Sequence, residues 1–168
     1  ATHGMALSLL HGVVGTVVSL FVLPWFLGRF TSDANTLSMG ITYARIVFAF
    51  STINMAGLAF EKIFQALGRM KLTMAALITG CVGNILLDPL LIFGIGPFPK
   101  MGIAGAALAT GIGQTLSLAV YLAVYCTTEL PLRFRRRWLH FRAALEARLY
   151  AIGVPAILNL ALPSLLVT

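Results

Sequence analysis

Asn84 and Asp88 are the residues of this sequence whose types and spacing best fit a binding site for a cation. They lie four positions apart in an apolar run, so on a helix they share one face. If this run crosses a membrane, the carboxylate is costly there, and such residues by default mark an ion pathway or a charge pair. Pro89 follows directly and removes one backbone donor, so a carbonyl is left free to help bind a cation. Two interpretations stay open, namely coupling to an ion and purely structural pairing with another helix.

The helix face that carries these two residues changes character along its length. Ala76 and Gly80 precede Asn84 and Asp88 at the same four-residue spacing. Small residues allow helices to approach closely, whereas polar residues in a membrane need a cavity or partners. We therefore expect a pocket that opens outward beside Asp88.

Arg45 is the second charged residue that lies well inside an apolar run. Counted from the outer helix ends, Arg45 and Asp88 both lie about 9 Å deep, at about 1.5 Å of rise per residue. A salt bridge between them is possible if their helices are neighbours. Alternatively, Arg45 extends its side chain outward to the lipid headgroups.

Polar residues also line one face of a later apolar run. Thr110 and Gln114, followed by Ser117 and Tyr121, recur at helical spacing and predict a face that meets something other than lipid. In the first run His11 stands beside a row of small residues. The sequence leaves open whether His11 is a hydrogen-bonded packing residue or a proton relay.

The composition indicates a membrane protein made of helices. The chain is 59% hydrophobic and 10% charged, whereas a soluble domain is usually about 25% charged. A bilayer span needs roughly 20 apolar residues, and we predict four full spans and a partial fifth. The full spans are 5–26, 39–60, 72–93 and 101–126, with the fifth starting at 149. The predicted fold class is therefore all-α, a polytopic transmembrane helix bundle.

The basic residues predict the orientation of this bundle. Nine of the twelve lysines and arginines fall in the gap after the second span and in the segment 127–148. By the positive-inside rule that side is cytoplasmic, so the first span runs outward from the cytoplasm. The segment 127–148 is interpreted as a topological anchor or as a linker between two halves of a transporter. Its position between apolar runs argues against a nucleic-acid partner.

No pattern in the sequence indicates catalysis. The chain contains no Walker loop, no HExxH, no nucleophile elbow and no metal cluster. Cys81 and Cys126 fall in apolar runs and are interpreted as free thiols. Since both ends look cut from a longer protein, we expect a fragment that does not transport by itself.

The residues 60–114 resemble a known transporter family. They read FEKIFQALGRMKLTM and then GNILLDPLLIFGIGPFPKMGIAGAALATGIGQ, with only a short stretch between the two. This resembles the multidrug and toxic compound extrusion (MATE) family, and YAIGVPAILNLALPSLLVT resembles the start of its seventh helix. The resemblance implies a twelve-helix transporter of two lobes. Residues 1–126 would be the family's helices three to six, 127–148 the cytoplasmic linker between the lobes and 149–168 the truncated start of the second lobe.

The resemblance also implies a function and its residues. It implies export of organic cations in exchange for H⁺ or Na⁺, without ATP or any other cofactor, through a multi-pass protein of a bacterial inner membrane. Asn84 and Asp88 match a cation-site pair of some family members, which would include a possible Na⁺ site, and Thr110 matches a contributing threonine. Gln114 and Arg45 are candidate cavity residues. The expected partners are small organic cations, the bilayer and the rest of the same transporter chain. The alternatives are a lipid-linked oligosaccharide flippase of the same superfamily and a non-transporting membrane scaffold.

Overall fold

The structure is a bundle of long α-helices. The computed structural model describes residues 2–29, 31, 33–128, 147 and 149–155, and no β-strand occurs in these ranges. The five long helices are α1 (Thr2–Leu27), α2 (Ala34–Ala49), α3 (Ser51–Ala66), α4 (Met70–Phe93) and α5 (Ile103–Thr127).

These helices have the length and composition of membrane spans. Among the described residues, α1, α4 and α5 are each long and apolar enough to cross a bilayer, and α2 and α3 together form a fourth candidate. Large apolar side chains point outward, for example Phe21 at 79% exposure and Ile85 at 66%, as expected of surfaces that face lipid. The predicted all-α transmembrane bundle is confirmed, and the protein is an integral membrane protein.

The second predicted span, 39–60, is not one continuous helix. It consists of α2 and α3, which meet at Phe50 with a bend of 46°. The backbone of Phe50 has φ −85° and ψ 0°, and its amide donates to the carbonyl of Val47 at 3.1 Å, a tightened turn. Since sharp kinks usually occur at proline or glycine and neither stands at this position, the sequence carries no local signal for the bend.

A small aromatic core holds α3, α4 and α5 together at the end predicted to be cytoplasmic. The buried side chains are Phe60, Phe64, Ala76 and Tyr121. The rings of Phe64 and Tyr121 stack with centroids 5.6 Å apart. Aromatic pairs at this spacing contribute stabilisation beyond the area that they bury.

The connector between α4 and α5 folds tightly over the end of α4. Gly94 ends the helix with φ 71°, a left-handed conformation that favours glycine. A Cβ atom at Gly94 would lie only 2.6 Å from the backbone nitrogen of Lys100. The amide of Met101 then donates to the carbonyl of Leu91 at 3.0 Å, so α5 begins beside the end of α4.

The last part of the chain lies largely outside the described residues. This applies to the predicted linker 127–148, except for residues 127, 128 and 147, and to residues 156–168 of the fifth run. Residues 149–155 are helical, and the hydroxyl of Tyr150 lies 3.2 Å from Nε2 of His11. His11 also places Nδ1 2.7 Å from the carbonyl of Leu7, so this histidine contacts both its own helix and the later segment.

Candidate cation-binding site on helices α4 and α5

The small half of the predicted face on α4 packs against α5. A Cβ atom at Gly80 would contact Ser117 and lie 2.7 Å from the carbonyl oxygen of Gly113, so glycine is required for this approach. The hydroxyl of Ser117 donates to the carbonyl of Ala76 at 2.9 Å. This part of the face is therefore filled by the neighbouring helix, and any cavity must lie beyond it.

Asn84 lies where this contact ends. A Cβ atom at Gly113 would be 3.1 Å from the Cβ of Asn84, so the asparagine side chain starts at the α4–α5 interface. Its Nδ2 atom is buried and has no hydrogen-bond partner. Because an unpaired buried donor costs about 1–3 kcal/mol, this atom indicates a position where a further polar group belongs.

Asp88 lies one helical turn beyond Asn84 and is half-buried. Its side chain makes no hydrogen bond or ion pair with any residue in the described ranges. The helix continues through Pro89 to Phe93, so Asn84 and Asp88 keep the common face that their spacing predicts. A half-buried carboxylate without a protein partner is available to a proton, a cation or a group outside these residues.

Thr110 and Gln114 occupy half-buried positions on α5. The hydroxyl of Thr110 donates to the carbonyl of Ala106 at 3.0 Å, within its own helix. Gln114 follows Gly113, the residue that meets Asn84, so Gln114 and Asn84 lie at the same level on facing helices. The structure thus brings Asn84 and Gln114 to one region of the α4–α5 pair, with Asp88 one turn away.

Arg45 is not part of this region. It is exposed, and the described residues show no ion pair between it and Asp88. Its helix, α2, packs on α1 and α5. The described helices show no substantial contact between α2 and α4, so the similar depth predicted from the sequence does not bring Arg45 beside Asp88. α2 and α4 are therefore not the neighbouring helices that this salt bridge would require.

The arrangement of side chains fits a light cation better than a multivalent metal. The described residues contain no group of three histidine, cysteine, aspartate or glutamate side chains that could hold a metal ion. One carboxylate with one amide oxygen supplies hard oxygen ligands, and its single negative charge balances one monovalent cation. A single carboxylate can also take up and release a proton.

Two further contacts of the bundle were not predicted from the sequence. The ring of Phe50 lies against Gly111 of α5, where an added Cβ would be 2.6 Å from two of its ring carbons. Glu61 is only 14% exposed and accepts a hydrogen bond of 2.8 Å from Gln65. The four-residue spacing of Glu61 and Gln65 was a signal for this pair, whereas nothing in the sequence linked Phe50 to Gly111.

The fold is that of a helical membrane protein, with half-buried polar residues on the facing helices α4 and α5. Residues 1–90 match the sequence profile of the MatE family. This match covers more than half of the chain, and the chain belongs to the MatE family.

Individual relatives agree with this assignment. The chain is 33% identical to the probable multidrug resistance protein YoeA of Bacillus subtilis (strain 168) over 98% of its own length and 35% of that protein. It is 53% identical over 57 residues, 33% of its length and 12% of the relative, to a protein of Shewanella oneidensis named FAD transporter. The chain spans about a third of the length of the first of these relatives.

A solved structure shares the fold. It is an inward-facing conformation of a multidrug resistance MATE family transporter of the MOP superfamily, with a TM-score of 0.78 and 24% sequence identity. The superposition covers 92% of this chain and 34% of the solved chain. The four spans described here therefore have the arrangement of one part of such a transporter.

Proposed function

We propose that this chain forms part of a secondary multidrug exporter of a bacterial inner membrane, which moves lipophilic organic cations outward in exchange for H⁺ or Na⁺. Membership of the MatE family and the likeness to YoeA support this proposal. MatE proteins are transporters, so we propose a carrier that uses an ion gradient, with neither ATP nor a cofactor and with no nucleic-acid partner. The rest of the transporter supplies the second wall of the cavity.

The single observation that carries the coupling proposal is the environment of Asp88. Its carboxylate is half-buried in a membrane helix and has no partner in the described part of the chain, and the unpaired amide of Asn84 lies one turn away. A charge in this environment is costly unless something neutralises it. Binding of H⁺ or Na⁺ removes that cost, so the affinity of the site responds to the ion gradient.

Asn84 complements this role through its amide group. Rotation of the amide exchanges the positions of its oxygen and nitrogen, so the same side chain can present the oxygen to a cation or the N–H to an acceptor. Gln114 and Thr110 on the facing helix are proposed to line the substrate side of the cavity. Alternating access then exposes these groups first to one side of the membrane and then to the other.

The test is Asp88→Asn in the complete transporter, reconstituted in vesicles with an imposed H⁺ or Na⁺ gradient. The substitution keeps the shape and removes the charge, so efflux of a fluorescent organic cation such as ethidium should fall to near background. Asp33→Asn is the matched control, because Asp33 lies exposed between α1 and α2 and outside the spans. Wild-type efflux by Asp88→Asn at normal expression would make Asp88 a structural residue.

A second candidate substrate is an anionic dinucleotide. It rests on the 53% identity to a protein named FAD transporter. Arg45 does not pair with Asp88 and is a candidate to bind the phosphates of the dinucleotide. Because lipid-linked oligosaccharides carry a pyrophosphate, they remain an alternative substrate for the same cationic residue. Efflux of FAD from the same vesicles separates the candidates: loss of FAD transport with Arg45→Gln, and no transport of ethidium, would favour the anionic substrate.

A further inference from the structure

A groove between α1 and α3 lies apart from every residue of the candidate site. It has a volume of about 410 Å³, and its walls include Gly4, Met5 and Ser8 on one side and Met55, Leu58 and Lys62 on the other. Small-molecule sites usually measure about 300–1,000 Å³ and are mostly apolar with few polar groups. This groove has that character.

The groove exists because α1 and α3 touch at one level and diverge below it. At Gly12 an added Cβ would lie 2.9 Å from the Cα of Thr52 and 3.2 Å from the Cβ of Met55, so the helices are in close contact. Two turns earlier, at Gly4, an added Cβ would meet nothing within 4 Å. The space between the helices therefore widens toward the end that the basic loops predict to be cytoplasmic.

The dimensions of the groove match one leaflet of a bilayer. Its wall on α3 runs from Met55 to Ala66, eleven positions or about 16 Å of helix at about 1.5 Å per residue. One leaflet contributes about half of a hydrocarbon core about 30 Å thick. An acyl chain that lies along the groove would place its headgroup near the wide end.

The cationic side chain of Lys62 lies at the wide end of the groove. Lys62 is 68% exposed, and its Nζ lies 3.3 Å from Oε1 of Glu61 and 3.2 Å from Oε1 of Gln65. An ammonium group has three donors, so one remains for a further acceptor. Lys71, also exposed, lies at the start of α4 and does not line the groove.

We propose that this groove binds an anionic phospholipid, with one acyl chain between α1 and α3 and the phosphate at Lys62. Basic pockets between membrane helices on the cytoplasmic side suit anionic headgroups, and the ammonium group of Lys62 keeps one donor beyond those directed to Glu61 and Gln65. The site is separate from Asp88, so it binds lipid whether or not the proposed transport reaction holds.

The experiment uses the complete transporter in lipid nanodiscs with one tryptophan as a reporter. Leu58→Trp places the reporter in the groove, and every other tryptophan of the complete transporter, including Trp25 and Trp138, is replaced by phenylalanine. Quenching is compared between phosphatidylglycerol and phosphatidylcholine that carry brominated acyl chains. One lysine near the surface contributes about fivefold to anionic lipid binding, so phosphatidylglycerol should quench at about fivefold lower mole fraction.

Two pairs of variants separate the groove from general lipid contact. Lys62→Gln should abolish the preference for phosphatidylglycerol, and the matched Lys71→Gln should retain it. Gly4→Leu should fill the groove and reduce quenching by both lipids. The control Gly57→Leu also has open space around its added side chain but does not line the groove, so quenching should persist.

Three results would overturn the proposal. Equal quenching by both lipids would show an ordinary lipid-facing surface. Absence of quenching by either lipid would show that another segment of the transporter fills the groove. Displacement of the lipid signal by ethidium would show that the groove is a site for the organic cation instead.

Discussion

The hydroxyl of Thr16 on α1 donates a hydrogen bond of 2.9 Å to the carbonyl oxygen of Phe48. Phe48 lies two residues before the break between α2 and α3, where the regular helical pattern of hydrogen bonds is interrupted. The amide of Phe50 also donates to this carbonyl, and the Thr16 hydroxyl lies 2.9 Å from the carbonyl oxygen of Gly12 in its own helix, so Thr16 adds a polar link between α1 and the end of α2. The bent span is thus contacted near Phe50 from two sides, by Thr16 of α1 and by Gly111 of α5, which accommodates the ring of Phe50.

Replacement of Thr16 by valine should destabilise the protein. The variant keeps the shape of the side chain but removes the donor to Phe48, and a typical net loss for one hydrogen bond is about 1 kcal/mol. The measurement is the thermal unfolding of the purified complete transporter. Thr16→Ser keeps the hydroxyl and should stay close to wild type, whereas equal losses for both variants would show that the methyl group matters instead.

Gly111→Ala should destabilise the protein more strongly. An added methyl group would overlap the ring of Phe50, and overpacking of this kind costs about 1–3 kcal/mol. Gly57→Ala is the matched control in a helix, because nothing lies within 4 Å of its added Cβ. Adding Phe50→Leu to Gly111→Ala should recover part of the loss, and no recovery would mean that the ring is not the obstacle.

Arg45→Gln should leave cation transport and stability nearly unchanged. Arg45 is exposed and does not pair with Asp88, and exposed substitutions usually change stability by less than about 0.5 kcal/mol. In unfolding measurements the double variant with Asp88→Asn should equal the sum of the single changes within about 0.5 kcal/mol. A larger coupling energy would show that the two charges meet in another conformation of the transporter.

The stabilisation of α2 by its N-cap residue Asp33 should be lost at acidic pH. The hydroxyl of Thr36 and then its backbone N–H donate to Asp33, the latter at 2.8 Å, and these bonds lower the pKa of Asp33 below 3.8. Since the folded pKa is depressed, the stabilisation is fully present above the unfolded value and is lost as pH falls through the folded one.

The measurement for this cap is the unfolding temperature between neutral and acidic pH. The difference between wild type and Asp33→Ala should be small but constant near neutrality and should shrink at the acid end. Asn is also a good capping residue, so Asp33→Asn should retain most of the stability while losing this pH response. An unchanged difference at low pH would contradict the role of the carboxylate.

The sequence by itself determined the class of the protein, an all-α bundle of membrane helices. Long apolar runs require helices in a bilayer because every backbone group must be paired within the segment, and this property is local. The common face of Asn84 and Asp88 follows in the same way from helical spacing alone, and α4 keeps it through Pro89. The roles of these two residues, and the orientation given by the basic loops, remain predictions.

Only the tertiary structure decided how the helix faces meet. The contacts around the bend at Phe50 come from Thr16 and Gly111, which lie 34 positions before and 61 positions after it in the sequence. In the tertiary structure α2 packs on α1 and α5, and the described residues show no ion pair between Arg45 and Asp88. Helical spacing places a residue on a face of its own helix, whereas the partner of that face is chosen by contacts between distant segments. For this reason the packing of α5 against Gly80 and the groove between α1 and α3 could not be predicted from the sequence.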